Sequence, residues 1–135
     1  MGDVITAALV DFTLKAGDDI VVRPLRQRDA QELFTLTTAN RDLLSQWLTW
    51  VESVKSVHDT RAYLRSSERN ALEHRAFVCG ILVNGKLVGA IDLHDIDWTN
   101  RHAKVGYWLG DAHRGRGIIT RAARALVEYA FDALD

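Results

Sequence analysis

A chain of 135 residues has room for one domain, and 47% hydrophobic with 26% charged residues is the composition of a globular protein with a real core. Its formal net charge of −1 excludes a nucleic-acid binder held by bulk electrostatics, although a local basic cluster is compatible with it. Cys79 is the only cysteine, which excludes a disulfide framework and a cysteine-based zinc site within the chain; in its apolar run it reads as a buried, unreactive thiol. The first ten residues hold an acidic Asp3 and no basic n-region, so no signal peptide is expected. No apolar stretch approaches the ~20 residues of a membrane span, and the expected location is the cytoplasm, with no membrane partner.

Residues 10–14 and 20–25 flank a loop containing Gly17, the pattern of a β-hairpin, and Pro24 suits a strand end. Asp29 is placed to cap a helix with Ala30, Leu33, Phe34 and Leu36 along one stripe. Residues 40–50 read as a second short helix through Leu43, Leu44, Trp47, Leu48 and Trp50. Ser56 and Asp59 have capping-box spacing and open a third helix with Ala62, Tyr63 and Leu72 as its apolar positions. Residues 76–83 and 86–93 are β-rich runs joined by Asn84 and Gly85, the pair a type I′ hairpin turn wants because both positions need positive φ. A polar connection over 97–101 leads to a strand over 103–109, completing an antiparallel meander. The last helix, about 120–134, carries Ala123, Leu126, Val127, Ala130 and Leu134 on one face, widened by Phe131. A helix with so large an apolar face packs on a sheet whose next strand follows it. The chain therefore reads as shorter than its fold requires, by roughly 35–50 residues at ordinary element and loop lengths.

Between that strand and that helix stand His113, Arg114, Gly115, Arg116, Gly117, Ile118, Ile119 and Thr120. A strand, a glycine turn and a helix start bring backbone N–H groups to one point, with the partial positive charge of the helix N-terminus behind them. Gly115 and Gly117 admit a ligand close to the backbone, Arg114 and Arg116 add charge, and Thr120 adds a hydroxyl. A diphosphate-sized anion fits such a nest. A bare Gly-x-Gly is more often only a tight turn; the residues around it favour the anion site here. A Walker loop is excluded because no Gly-Lys-Ser/Thr ending is present. A Rossmann fingerprint is excluded because Thr120 stands where its third glycine belongs and the preceding strands form a meander.

These residues, in this order, resemble the GCN5-related N-acetyltransferase (GNAT) family, and within it the group that acetylates the N-termini of ribosomal proteins. The family's coenzyme-A motif, Gln/Arg-x-x-Gly-x-Gly/Ala, is met at Arg114 and Gly117 and departs at Ile119, whose side chain must point away from the ligand. Val22, Arg23, Pro24 and Leu25 before a helix resemble the group's opening. Trp47, Leu48, Thr49 and Trp50 resemble its tryptophan-containing second helix, and Val105, Gly106, Tyr107, Trp108 and Leu109 its fourth strand. The resemblance implies an α+β fold: a central, mostly antiparallel twisted sheet flanked by helices, one domain over residues 1–135 that lacks the C-terminal strand, helix and hairpin. It implies acetyl-CoA as co-substrate and no metal. The pyrophosphate would lie on Arg114, Gly115, Arg116, Gly117, Ile118, Ile119 and Thr120, and the pantetheine along the backbone of Trp108 and Leu109. An N–H near Leu109 would stabilise the oxyanion. The acceptor would be a primary amine, of a protein N-terminus or a small molecule, attacking directly in a ternary complex.

The family often places a glutamate on or just before its fourth strand. Lys104 stands there in this chain, and a lysine of ordinary pKa is no base near neutral pH. His94, at the end of the third β-run, is the candidate base, since histidine as a residue type titrates in the useful range; a solvated turn histidine beside Asp92 and Asp95 is the alternative. Alternation puts Asp92 and His94 on one face. A metal site built from Asp92, His94, Asp95 and Asp97 is set aside, because polar residues entering a loop account for them as well. Lys104 and the short C-terminus also fit a non-catalytic acyl-CoA-binding or partner-binding module of the same fold. Arg114, Arg116, Arg121 and Arg124 cluster at a helix start, but the net charge and the lack of interleaved aromatics argue against a nucleic-acid partner. An unfinished sheet edge favours homo-oligomerisation. Trp47, Trp50 and Trp98 are candidates for an acceptor groove, with at least one of them expected in the core.

Overall fold

The structure, a computed structural model, describes residues 11–113 and 117–134. Five antiparallel strands lie in sequence order: β1 (Leu14–Lys15), β2 (Ile20–Pro24), β3 (Phe77–Val83), β4 (Lys86–Asp97) and β5 (His102–Leu109). Helices α1 (Ala30–Ala39), α2 (Arg41–Leu44) and α3 (Val57–Leu72) occupy the connection from β2 to β3. Helix α4 (Ile118–Tyr129) follows β5 and continues as a π-helical turn, Ala130–Leu134. The β3–β4 hairpin turns on Asn84 at φ 52° and Gly85 at φ 80°, the left-handed pair expected from the dipeptide.

Strand β3 is apolar at every position but Gly80 because both faces of the sheet are covered. Cys79, Ile81, Ile91 and Leu93 face α4, which contributes Ile118, Ala122 and Leu126. Val78, Leu82, Leu87 and Ala90 face the other way, against Leu33 of α1 and Leu64 of α3. Burial pushes the Cys79 thiol far up, so it is an inert core group, as its place in an apolar run suggests.

Several local expectations are corrected. Asp29 does not cap α1 with its side chain. Its carboxylate instead accepts from the Arg26 amide at 2.8 Å and from both terminal nitrogens of Arg23 at 3.0 Å, because a half-buried guanidinium on β2 needs that partner. The second helix ends at Leu44, and the chain passes through a 3-10 turn over Thr49–Ser53. Arg41 donates to the Val51 carbonyl at 2.7 Å and holds the segment folded back. None of Trp47, Trp50 and Trp98 is a buried core residue; Trp47 is 78% exposed. Helix α3 starts as its capping spacing predicts, with Ser56 Oγ accepting from the Asp59 amide, but its buried stripe is Thr60, Leu64 and Ala71 rather than Ala62, Tyr63 and Leu72. Strand β4 runs four residues past Leu93, to Asp97, so His94 lies inside a strand and not at its end. Helix α4 starts at Ile118, two residues before the expected Thr120, and buries Ile118, Ala122 and Leu126; Val127 and Phe131 are exposed. With Leu93, Ile96, Val105 and Ala130 they line an open groove of about 680 Å³.

Candidate active site

The exit of β5 is fixed by a side chain that the sequence pattern assigns only to a helix start. Asn40 Oδ1 accepts from the Asp111 amide at 2.8 Å, and Asn40 Nδ2 donates to the Leu36 carbonyl at 2.9 Å. Gly110 donates to the Val88 carbonyl at 2.8 Å, and a Cβ there would stand 3.2 Å from both Asn40 and Leu36. Strand β5 therefore leaves the sheet clamped between α1 and β4. It is the outermost strand among the described residues, so one edge of its backbone, at Trp108 and Leu109, faces away from the ladder. The same two residues lie tight on β4, since a Cβ on Gly89 would collide with the Trp108 carbonyl.

Arg114, Gly115 and Arg116 lie outside the described residues. Gly117, next in the turn, has φ 69° and ψ 14°, a left-handed conformation that disfavours any side chain, and nothing stands within 4 Å of where a Cβ would be. Its carbonyl accepts from the Arg121 amide at 3.1 Å, the first bond of α4. The amides of Ile118, Ile119 and Thr120 thus belong to the first turn, whose donors have no intrahelical acceptor. Ile118 is buried and Ile119 packs against the same core cluster, so both side chains turn inward. Thr120 is exposed. His113 Nδ1 is buried and has no hydrogen-bond partner among the described residues. A helix start behind an open, left-handed glycine is a chemical fit for a phosphate-bearing ligand.

On the α1/α3 face, a second group of residues adjoins β5. Trp50 stacks on Tyr63 with centroids 5.9 Å apart and planes 5° from parallel, and lies 6.4 Å from Trp108. Tyr63 keeps an exposed edge, yet its phenol is pushed up to about 12, first by burial and then by the charge of Asp92. Asp92 and His94 stand on this face of β4, opposite Gly106 and Lys104 of β5. Asp92 Oδ1 is 2.6 Å from His94 Nδ1. Of the four residues weighed as a metal set, Asp95 pairs with Lys104 at 3.4 Å, and Asp97 accepts from Thr99 and Asn100 and lies 3.5 Å from His102. No group of three or more metal-ligating side chains is found among the described residues. Trp98 lies apart from the aromatic group, donating to the His74 carbonyl at 2.8 Å and lining the groove beside α4.

The structure places His94 and Trp108 on the α1/α3 face of the sheet, with Lys104, the partner of His94, four β5 positions before Trp108; Leu109 packs on the α4 face, and Ile118, Ile119 and Thr120 follow the exit of β5. Sequence reasoning missed Asn40 and Tyr63. For Tyr63 no signal in the chain was available, because its partner Trp50 is 13 residues away in a segment of irregular backbone.

An antiparallel sheet covered by helices on both faces, with a left-handed glycine between its outer strand and a helix, is an acyltransferase architecture of one particular kind. The acetyltransferase (GNAT) domain family matches residues 19–135, and the chain belongs to that family. It is similar to YdaF of Bacillus subtilis strain 168, with 36% identity over 125 residues that cover 92% of this chain and 68% of YdaF. It is similar to the ribosomal-protein-serine acetyltransferase of Escherichia coli K12, 30% identical over 120 residues that cover 87% of this chain and 65% of that protein. Among solved structures, the microcin C7 self-immunity acetyltransferase MccE, in complex with acetyl-CoA and AMP, superposes with a TM-score of 0.86 at 26% identity, over 93% of this chain and 70% of MccE. The chain spans about two thirds of the length of the relatives it matches.

Proposed function

We propose that this chain binds the cofactor and bears the base of an acetyl-CoA-dependent N-acetyltransferase whose acceptor is a primary amine, a protein N-terminus being our leading candidate and ribosomal proteins the class that its relatives' names print. The carrying observation is the junction of β5 and α4: an outer strand edge at Trp108 and Leu109, a left-handed Gly117 with no atom within 4 Å of a Cβ there, and a helix start whose first-turn amides have no acceptor within the helix. Acetyl-CoA supplies the acetyl group as a thioester, already activated toward amines. The residues from Arg114 to Thr120 hold its pyrophosphate, and the backbone of Trp108 and Leu109 pairs with its pantetheine. A backbone N–H near Leu109 stabilises the developing oxyanion. His94 takes one proton from the acceptor ammonium; the freed nitrogen forms the C–N bond as the C–S bond breaks, and the thiolate leaves with a second amine proton. Holding the two substrates together contributes most of the acceleration, and the base about 10²–10⁴-fold.

Isothermal titration with coenzyme A and a free-thiol assay over small amines and peptide N-termini test this reading. Gly117→Glu should lose coenzyme-A binding; binding as tight as the parent's would remove the turn from the site. Turnover with a peptide N-terminus is the expected result. Binding of coenzyme A without turnover on any acceptor would support the second reading, a non-catalytic acyl-CoA-binding module, which Lys104 at a position where an acidic residue is expected favours. The net charge of −1 supports neither a nucleic-acid partner nor a salt-dependent one. Among the described residues no helix is long and apolar enough to cross a membrane. A cytoplasmic location is part of the proposal, on the ribosomal proteins in the relatives' names. Homo-oligomerisation and a single domain over residues 1–135 are further parts of the proposal.

A further inference from the structure

We infer that Asp92 is a positioning residue that holds His94 in the one tautomer able to take a proton from the acceptor. The inference rests on the proposed role of His94 and deepens it. Asp92 Oδ1 lies 2.6 Å from His94 Nδ1, a short contact typical of a charge-assisted hydrogen bond. An ionised carboxylate only accepts, so the hydrogen sits on Nδ1 and the lone pair of the neutral ring is left on Nε2. The same contact fixes the direction of the ring, since residues two apart on a strand share a face. When Nε2 takes the proton, the imidazolium keeps its Nδ1–H on Asp92 and faces a negative charge until the proton passes to water.

Two neighbours keep Asp92 available for this work. Gly106 stands opposite it on β5, and a Cβ there would meet the two carboxylate oxygens at 3.0 and 3.2 Å. The carboxylate lies in the space that this glycine leaves. Lys104, opposite His94, is the cation nearest in register, and it is turned to Asp95 at 3.4 Å instead. Asp95 reaches that position because its φ of 50° breaks the strand alternation just past His94. From α3, Tyr63 feels the charge of Asp92 and stacks on Trp50, which lies 6.4 Å from Trp108. Successive same-face residues of a strand are about 7 Å apart, so an amine seated over Gly106 stands one such interval from Trp108 and one from the His94–Lys104 pair.

Long-range proton–nitrogen NMR of the imidazole rings reads the tautomer directly, in the free protein, at a pH where the ring is neutral. The His94→Gln spectrum assigns the signal among the five histidines. The parent should show hydrogen on Nδ1. Asp92→Ala should move His94 to the Nε2–H form and lower kcat about 10–100-fold, with the KM for acetyl-CoA within about twofold of the parent. Asp92→Asn keeps an acceptor oxygen in place and should restore part of both. Gly106→Ala, which crowds the carboxylate without deleting it, should shift the tautomer partially and serves if Asp92→Ala does not fold. An Nε2–H tautomer in the parent, or an unchanged tautomer in Asp92→Ala, overturns the inference even if His94→Gln is inactive. A tautomer that responds as expected, with His94→Gln fully active, overturns the base assignment on which the catalytic purpose of the pair rests.

Discussion

Asp29 carries a carboxylate into a buried position where Arg23 and the Arg26 amide already point at it. Burial pushes this carboxyl up, but the hydrogen bonds from Arg23 and Arg26 and the Arg23 charge outweigh it and hold the group below its ordinary value. The charged form therefore favours folding. That contribution is complete above about pH 3.9, the unfolded value, and is lost as pH falls through the lower folded value. Asp29→Ala should cost about 2–3 kcal/mol at neutral pH, because the half-buried guanidinium loses its partner, and urea unfolding should show a smaller further loss on acidification than in the parent. Gly89→Ala should be more damaging than its size suggests, by about 1–3 kcal/mol, since a Cβ meets the Trp108 carbonyl and must push β5 away. At this scale the sequence was readable where chemistry is local: Gly117 for its backbone, Cys79 for its burial, Asp92 and His94 for their shared face. Asn40 was not readable, because its role is a contact with Asp111, 71 residues on.

The elements were legible where hydrophobic period and turn chemistry agreed. The β3–β4 hairpin, with Asn84 and Gly85, and the start of α3 at Ser56 came out as expected. The face of α3 did not, and that of α4 did so for Ala123, Leu126 and Ala130 but not for Val127 and Phe131, because a periodic set of apolar residues shows that a helix has a face without saying which stripe the sheet will cover or how wide it is. On α4 the covered stripe is Ile118, Ala122 and Leu126, and Phe131 is 70% exposed. Leu126→Ala should therefore destabilise by about 2–5 kcal/mol in thermal or urea melts. Phe131→Ser should stay within about 0.5 kcal/mol of the parent, although the sequence pattern alone puts both residues on one apolar face. Equal losses from the two substitutions would mean that the groove beside α4 is filled in solution.

For the whole molecule, the site is an outcome of where the sheet ends. Strand β5 is outermost among the described residues, so its backbone edge, the Gly117 turn and the start of α4 are presented together on one side of the sheet. Coenzyme A at one hundred times its Kd should stabilise the fold by about 2.7 kcal/mol, seen as a rise of several degrees in Tm, and Gly117→Glu should abolish the rise. The sequence by itself determined the family, the glycine turn and the strand before it, because these depend on residues adjacent in the chain and on backbone preferences that need no partner. Only the tertiary structure decided that the Asp92 carboxylate lies against Gly106, that Tyr63 stacks on Trp50, and that Asn40 clamps the exit of β5. Those contacts join residues 13, 14 and 71 positions apart, and strand register and helix packing, not local preference, bring them together.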